Sequence, residues 1–196
     1  MIATSHLLLH EAVADAVEAR VADLMAAIRV GPALDPDTGM GPLVSAAHRQ
    51  RVTDLVGSGV ADGARLLTGG TRPSGTGHFF RPTLLTGVDP SMRIAREEVF
   101  GPVLSVLRFR DEEEALRIAN AVDYGLTASV WTDDLRRAHR LAAAFEAGFV
   151  WVNGTSQHFA GVPYGGWKAS GLGSEESREE LLSFTRLKAV TVFDAT

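Results

Sequence analysis

Apolar residues in the first part of the chain recur at spacings that predict a strand followed by two helices. The run Leu7–Leu9 predicts a buried strand, and apolar residues over 13–28 follow at helical spacing. Gly31 and Pro32 are expected to end the first helix, because glycine accepts the left-handed cap conformation and proline cannot continue a helix. Ser45 is predicted to cap the second helix, since its hydroxyl accepts a hydrogen bond from a free backbone N–H.

Beyond the second helix the chain alternates strands and helices. Strands are predicted over 64–67, 79–85, 103–109, 127–131 and 149–152, and helices over 111–122 and 135–145. Gly148 is expected to stop the helix that precedes the strand at 149–152. Strands that alternate with helices of this length predict an α/β fold with an open, mainly parallel sheet and helices on both faces.

The last part of the chain is a loop rich in glycine, a short helix and a final strand. The loop covers 154–173, the helix is predicted near 175–184, and the strand covers Ala189–Phe193. Val190 and Val192 alternate with a threonine, as in a half-buried strand, but no hairpin partner lies nearby in the sequence. We expect this strand to pair with another element or with another chain.

The composition excludes several functional classes. With 196 residues, 45% of them apolar, and a mean hydropathy of +0.06, the chain is expected to bury one substantial core. A net charge of −5 offers no basic stripe for nucleic acid. Its apolar runs are much shorter than the ~20 residues needed to span a bilayer. The first residues lack the pattern of a secretory signal, so a cytoplasmic protein is expected.

Nucleophilic and metal chemistry find little support in the residues themselves. There are no cysteines, which excludes disulfides, zinc-thiolate sites and cysteine nucleophiles within these 196 residues. His6 and His10 lie on the same side of a predicted strand, but zinc requires three or four ligands and no third is evident, so no metal site is predicted. No G-x-S-x-G motif is present to expose a serine nucleophile.

Two motifs have ordinary structural interpretations when each is taken alone. The glycine-rich segment Pro163–Gly173 matches neither the dinucleotide fingerprint nor the phosphate-binding loop, and by composition a structural turn is favoured over ligand contact. The segment Arg96–Pro102 carries two carboxylates before a glycine-proline break, which is typical of an acidic turn leading into a strand.

Taken together, the motifs change this picture. Four segments resemble the aldehyde dehydrogenase superfamily in identity, order and spacing, namely Glu97–Pro102, Tyr124–Ala128, Val150–Asn153 and Pro163–Gly171. Gly41–Ser45 and the ending from Glu180 to Val190 are similar to the same family, so the resemblance covers nearly the whole chain. In that family a cysteine attacks the aldehyde, hydride passes to NAD or NADP, and water releases the carboxylic acid.

The resemblance implies a cofactor site for NAD or NADP. Glu98 would hold the nicotinamide ribose, with Phe100 packed beside it; a carboxylate suits this role because it accepts hydrogen bonds from both ribose hydroxyls. His48 and Arg51 match positions that contact the ribose on the adenine side, and Leu126 would lie near the nicotinamide. We expect the cofactor to bind weakly to this chain alone.

The resemblance also implies a tunnel for a small aldehyde. Asn153, His158 and Tyr164 match positions that line it. His158 makes the tunnel more polar than is usual in the family, and Tyr164 stands where phenylalanine is common.

The resemblance assigns no covalent catalyst to this chain. Counting back from the first strand, Met1 stands at or beside the position of the family's cysteine, and a thioether cannot form a thiolate. The general-base glutamate and the cofactor domain match no segment here. Residues 1–185 are therefore predicted to be the distal part of the catalytic domain, and 186–196 the oligomerisation strand.

These features lead to two hypotheses of different kinds. The first is a truncated or split aldehyde dehydrogenase that is inactive without an amino-terminal half. The second is a noncatalytic module that docks on intact aldehyde dehydrogenase subunits through the Ala189–Phe193 strand, by strand addition at a sheet edge. A reading frame that starts too late is a third explanation. Either hypothesis predicts a homo- or hetero-oligomer.

Overall fold

The computed structural model describes residues 3–194, which form two compact units. The first ends at Val122 and the second begins at Asp123. The first contains β1 (His6–His10), α1 (Glu11–Ala26), α2 (Ala46–Ala61), β2 (Arg65–Thr68), β3 (Thr83–Thr86), α3 (Arg93–Arg96), β4 (Val103–Phe109) and α4 (Glu112–Asn120). The second contains β5 (Tyr124–Gly125), β6 (Thr127–Val130), α5 (Leu135–Ala144), β7 (Phe149–Val152), β8 (Trp167–Lys168) and α6 (Arg178–Ser183).

The first unit is built on a four-stranded sheet in the order β1-β4-β3-β2. The strands β1 and β3 run parallel to β4, whereas β2 pairs with β3 in the antiparallel sense. The register of the first pair aligns His6 with Ser105. The predicted α/β fold with an open, mainly parallel sheet is therefore confirmed.

Helices cover both faces of this sheet. Neighbouring residues of a strand point to opposite faces, so apolar side chains on both faces require helices to cover them. On one face Leu84 and Val106 pack with Ala14 of α1. On the other face Leu85 and Leu107 pack with buried residues of α2 and α3. The sheet thus separates two apolar cores, as predicted for a sheet with helices on both faces.

A buried ion pair ties α1 to β4. Glu18 is only 2% exposed, and one of its carboxylate oxygens lies 2.9 Å from Nε of Arg108. Arg108 also donates to Asp15 at 2.7 Å, and a terminal nitrogen of Arg65 lies 3.8 Å from Glu18. A carboxylate removed from water requires such partners, because an uncompensated buried charge is strongly destabilising.

The predicted cap at Ser45 is present, and Asp111 caps α4 in the same way. The Ser45 hydroxyl accepts from the backbone N–H of His48 at 3.1 Å, and Asp111 accepts from the backbone N–H of Glu114 at 2.8 Å. In each case the side chain satisfies one of the N–H groups that the first turn leaves unpaired.

The predicted roles of two glycines, Gly31 and Gly148, were wrong. The helix α1 ends at Ala26, before Gly31, and α5 ends at Ala144, before Gly148. Gly148 instead lies so close to the backbone of Gly165 that an added Cβ would be 1.7 Å from its carbonyl oxygen. A glycine there permits two segments of backbone to approach, which is a different reason for glycine from a helix cap.

The second unit contains two small pairs of strands with α5. The strands β6 and β7 are parallel, and β5 pairs with β8 in the antiparallel sense. Residues 186–194 form no strand with any described residue, and their side chains are exposed. Pairing of Ala189–Phe193 with another chain stays a prediction. Between residues 3 and 194, no helix is both long and apolar enough to cross a membrane.

Candidate functional site

The first candidate site is the turn between α3 and β4, which carries two of the predicted cofactor residues. Val99 is buried at 4% exposure, whereas its neighbours Glu98 and Phe100 are exposed. Phe100 has a φ of +58°, a left-handed conformation that is uncommon for a residue with a side chain. Burial of Val99 anchors the turn and leaves the side chains on either side of it facing solvent.

Two side chains of α2 hold this turn by its backbone carbonyls. Nε2 of His48 lies 2.8 Å from the carbonyl oxygen of Phe100, and Nη1 of Arg51 lies 3.0 Å from that of Val99. A carbonyl oxygen only accepts, so both side chains donate. The structure thus brings together His48, Arg51 and Phe100, three of the residues that the resemblance selected.

The two adjacent carboxylates of the turn differ in their surroundings. Glu97 is bound by Arg93 at 2.5 Å and faces Arg51 at 3.8 Å. The hydrogen bond from Arg93 lowers the pKa of the Glu97 carboxyl, and the charges of both arginines lower it further. Glu98, in contrast, makes no hydrogen bond or ion pair with any residue between 3 and 194. Both of its oxygens are available to accept hydrogen bonds from a ligand.

A second candidate site lies in the second unit, where aromatic rings surround His158. The His158 ring is 4.5 Å from that of Tyr164, and it stacks on Phe149 at 5.9 Å with an interplanar angle of 15°. Trp151 packs against Phe149 at 4.9 Å and donates from its indole to the carbonyl of Gln157 at 2.8 Å. The predicted substrate residues His158 and Tyr164 are therefore in direct contact.

The other two predicted site residues of the second unit, Asn153 and Leu126, make mainly local backbone contacts. The Asn153 side chain accepts from the backbone N–H of Thr132 and donates to the carbonyl of Thr132, each at 2.9 Å. With a φ of +52°, Asn153 adopts a left-handed backbone conformation directly after β7. Leu126 is half-buried between β5 and β6, and its carbonyl accepts from Phe149 at 3.1 Å.

The sequence predicts no functional role for Glu176, yet the structure places it against His158. Nδ1 of His158 is 3.1 Å from each of its carboxylate oxygens. His158 and Glu176 line an open groove together with residues at the start and along one side of α6, namely Ser177, Glu180, Leu181 and Phe184. No spacing or motif in the sequence indicates this pair, because it depends on the path of the intervening loop.

Tyr164 remains a neutral phenol over a wide range of pH. Burial raises the pKa of the Tyr164 hydroxyl, and the negative charges of Glu175 and Glu176 raise it further. Among residues 3–194, no group of three or more histidine or acidic side chains is arranged to hold a metal ion. Met1, which the resemblance puts at the position of the nucleophile, lies outside the described residues.

Comparisons with known proteins agree on one family. A model of the aldehyde dehydrogenase family matches residues 1–190. Aldehyde dehydrogenase tropH from Talaromyces stipitatus is 47% identical over 197 residues, covering 96% of this chain and 38% of that protein. Betaine aldehyde dehydrogenase 1 from Rhizobium meliloti is 48% identical over 177 residues, covering 89% of this chain and 36% of that protein.

A solved structure gives the same result. The crystal structure of betaine aldehyde dehydrogenase from Staphylococcus aureus in complex with NAD+ superposes with a TM-score of 0.88 at 37% identity. The match covers 97% of this chain and 41% of that one. The chain thus spans between 36% and 41% of the length of the three proteins compared.

Proposed function

Because the chain belongs to the aldehyde dehydrogenase family, we propose that it supplies part of a site where an NAD(P)-dependent enzyme oxidises an aldehyde to a carboxylic acid. The observation that carries this proposal is the turn beside α2, which presents the free carboxylate of Glu98 while its carbonyls are held by His48 and Arg51. A carboxylate with both oxygens free fits a pair of ribose hydroxyls.

NAD(P)+, when bound, would accept the hydride released from the aldehyde carbon. In this proposal Glu98 holds the ribose next to the nicotinamide, and Phe100 packs beside it. His48 and Arg51 contribute to the same cofactor site. They either contact the ribose on the adenine side or fix the turn that carries Glu98 and Phe100. Leu126 faces the nicotinamide, and Asn153, His158 and Tyr164 belong to the substrate side.

The chain needs another source of the nucleophile. Covalent aldehyde oxidation in this family starts from a cysteine thiolate, and the 196 residues contain no cysteine. A methionine thioether has no proton to lose and cannot replace it. We therefore propose that activity requires a cysteine-bearing segment with a cofactor domain, whether in the same polypeptide or in a partner subunit.

The purified 196-residue chain, mixed with NAD+ or NADP+ and a panel of aldehydes, is expected to form no reduced nicotinamide. Addition of the amino-terminal, cysteine-bearing segment of a relative is expected to restore turnover, which is followed by the absorbance of the reduced cofactor. The matched control is the same segment with its cysteine replaced by alanine. Reduction of the cofactor by this chain alone would contradict the proposal.

The role of Glu98 is tested in the same restored assembly. Glu98→Ala removes hydrogen bonds between a charged acceptor and the ribose, each worth about 1.5–3 kcal/mol, so the KM for the cofactor should rise about tenfold or more. Glu113→Ala, at an exposed acid in the first turn of α4, is the matched control and should leave KM unchanged. An unchanged KM for the cofactor in Glu98→Ala would show that Glu98 does not bind the cofactor.

A second candidate function has its own observation. Apolar side chains near the end of the described chain are strongly exposed, with Leu187 at 104%, Val190 at 73%, Val192 at 86% and Phe193 at 88%. An unpaired apolar segment of this kind suits strand addition to the sheet edge of another aldehyde dehydrogenase subunit.

Binding of a full-length relative by this chain is expected in size-exclusion chromatography and native mass spectrometry. Val190→Lys with Val192→Lys should abolish the complex, because the charges oppose burial of this side of the strand. The control is Thr191→Lys, which alters the alternate side. A monomeric chain at every ratio of the two proteins would contradict the docking role.

A further inference from the structure

The turn between α3 and β4 is fastened by its backbone to one side of α2. His48 and Arg51 donate to two successive carbonyls of the turn, at 2.8 and 3.0 Å. Between these contacts Val52 is fully buried, and a Cβ added at Gly101 would lie 2.7 Å from one of its methyl groups. Residues 48, 51 and 52 are three and four positions apart, so they lie on the same side of the helix.

Glu97 holds the guanidinium of Arg51 in this place. Nη1 of Arg51 donates to the carbonyl of Val99, while Nη2 lies 3.8 Å from Oε2 of Glu97. The same carboxylate accepts two hydrogen bonds from Arg93 on α3. Glu97 therefore joins α2 to α3, and both terminal nitrogens of Arg51 face oxygens of the turn.

Side chains of the turn alternate between the protein and the solvent. Glu97 is extended, with φ −95° and ψ +139°, and neighbouring side chains of an extended backbone point to opposite sides. Glu97 is half-buried and Val99 is buried, whereas Glu98 and Phe100 are exposed. A carboxylate of Glu97 that is held against the two helices therefore directs the side chain of Glu98 away from them.

We infer that Glu97 is a positioning residue, whose contacts with Arg51 and Arg93 fix the direction in which Glu98 presents its carboxylate to the ribose of the cofactor. The inference rests on the proposed function and deepens it, because it assigns Arg51 to the turn and not to the ribose on the adenine side. Exposed ion pairs contribute little to stability. The benefit is preorganisation, since Glu98 is already ordered when the cofactor binds.

The restored assembly measures this benefit as the KM for NAD+. Glu97→Ala is expected to raise that KM about two- to tenfold, the cost of ordering one side chain on binding. Glu97→Gln, whose amide oxygen still accepts from the arginines, should recover most of the loss. The matched control is Glu114→Ala, which removes an ion pair of the same spacing with Arg110 and should leave KM unchanged.

A double-mutant cycle tests whether Glu97 acts through Glu98. In an assembly that carries Glu98→Ala, the further change Glu97→Ala should not raise KM again, because the carboxylate that Glu97 directs is gone. The Glu97→Ala chain should also unfold at nearly the wild-type urea concentration, as expected for an exposed ion pair. Equal rises of KM in the two backgrounds would overturn the positioning role.

The turn is also observed in the purified chain without a cofactor. The carbonyl of Val99 belongs to the peptide plane whose rotation sets the φ of Phe100, which is +58°. The Cα and Cβ NMR chemical shifts of Phe100 report this left-handed conformation. We expect them to move toward the values of an extended phenylalanine in Glu97→Ala and to stay in place in Glu114→Ala. Unchanged shifts in Glu97→Ala would overturn the positioning role whatever the assembly does.

The outcomes distinguish failure of the inference from failure of the proposed function. If Glu98→Ala raises KM and Glu97→Ala does not, the positioning role is overturned and the proposed function stands. If Glu98→Ala leaves KM unchanged, or if the assembly oxidises no aldehyde, the proposed function is contradicted, and the part of the inference that concerns the ribose is overturned with it. The shifts of Phe100 still decide whether Glu97 fixes the turn.

Discussion

Replacement of Gly148 by alanine is expected to destabilise the second unit by about 3 kcal/mol or more. The added Cβ would lie 1.7 Å from the carbonyl oxygen of Gly165, and backbone atoms cannot move aside as a flexible side chain would. Separation of the two segments would also weaken the hydrogen bond from the N–H of Gly148 to the carbonyl of Gly125, which is 3.0 Å long. Gly125 belongs to β5, and Gly148 directly precedes β7.

Urea unfolding followed by tryptophan fluorescence measures this effect, because Trp131, Trp151 and Trp167 all lie in the second unit. The matched control is Gly154→Ala in the same unit, where the nearest atom to an added Cβ is 3.9 Å away. An unfolding midpoint for Gly148→Ala that equals that of the control would show that the close backbone approach is not needed.

Replacement of Arg108 by alanine is expected to lower the free energy of unfolding of the first unit by about 3–5 kcal/mol, because it leaves the charge of Glu18 buried without its closest partner. Glu18 is 2% exposed, and the remaining cation, Arg65, stands 3.8 Å away with an exposed side chain. Far-UV circular dichroism in urea reports the loss of the helices and sheet. The free energy should fall because of the unpaired charge and not because of the lost side-chain volume.

Two variants isolate the charge. Arg110→Ala removes an exposed partner of Glu114 and is expected to cost less than about 1 kcal/mol. The double replacement Glu18→Leu with Arg108→Leu removes both charges and should be more stable than Arg108→Ala, since an apolar pair often replaces a buried ion pair without loss. If the double variant is the less stable of the two, the explanation by an unpaired charge is wrong.

The strands and helices of this protein were predictable where local chemistry decides them. The predicted strands over 103–109 and 149–152 coincide with β4 and β7, because each is a short, mainly apolar run bounded by glycine, proline or polar residues. Ser45 capped the helix that it was predicted to cap. The parallel sheet followed from the alternation of these elements.

The roles of individual glycines were not predictable. A glycine is equally suited to a helix cap and to a position where two backbone segments come close together. Gly148 follows a helix and precedes a strand, which is the sequence position of a cap. What decides its role is the carbonyl of Gly165, seventeen residues further along the chain and adjacent only after folding. A local pattern contains no information about that neighbour.

The candidate sites were predictable in part. The resemblance selected His48, Arg51 and Phe100, which the structure brings together around one turn. It also selected Asn153, whose side chain is hydrogen-bonded to the backbone of Thr132 and whose role toward a substrate stays a prediction. Glu176 escaped notice because its contact with His158 arises from a loop whose path no periodicity describes.

The pairing of β1 with β4 has a consequence for biosynthesis. His6 and Ser105 are partners in the ladder although they lie 99 positions apart in the chain. A ribosome that adds about 5–20 residues per second needs roughly 5–20 s to make that stretch. Throughout this interval the apolar strand at Leu7–Leu9 has been translated and its partner has not. A nascent chain with this topology leaves its first apolar strand unpaired for longer than one whose strands pair with their immediate neighbours.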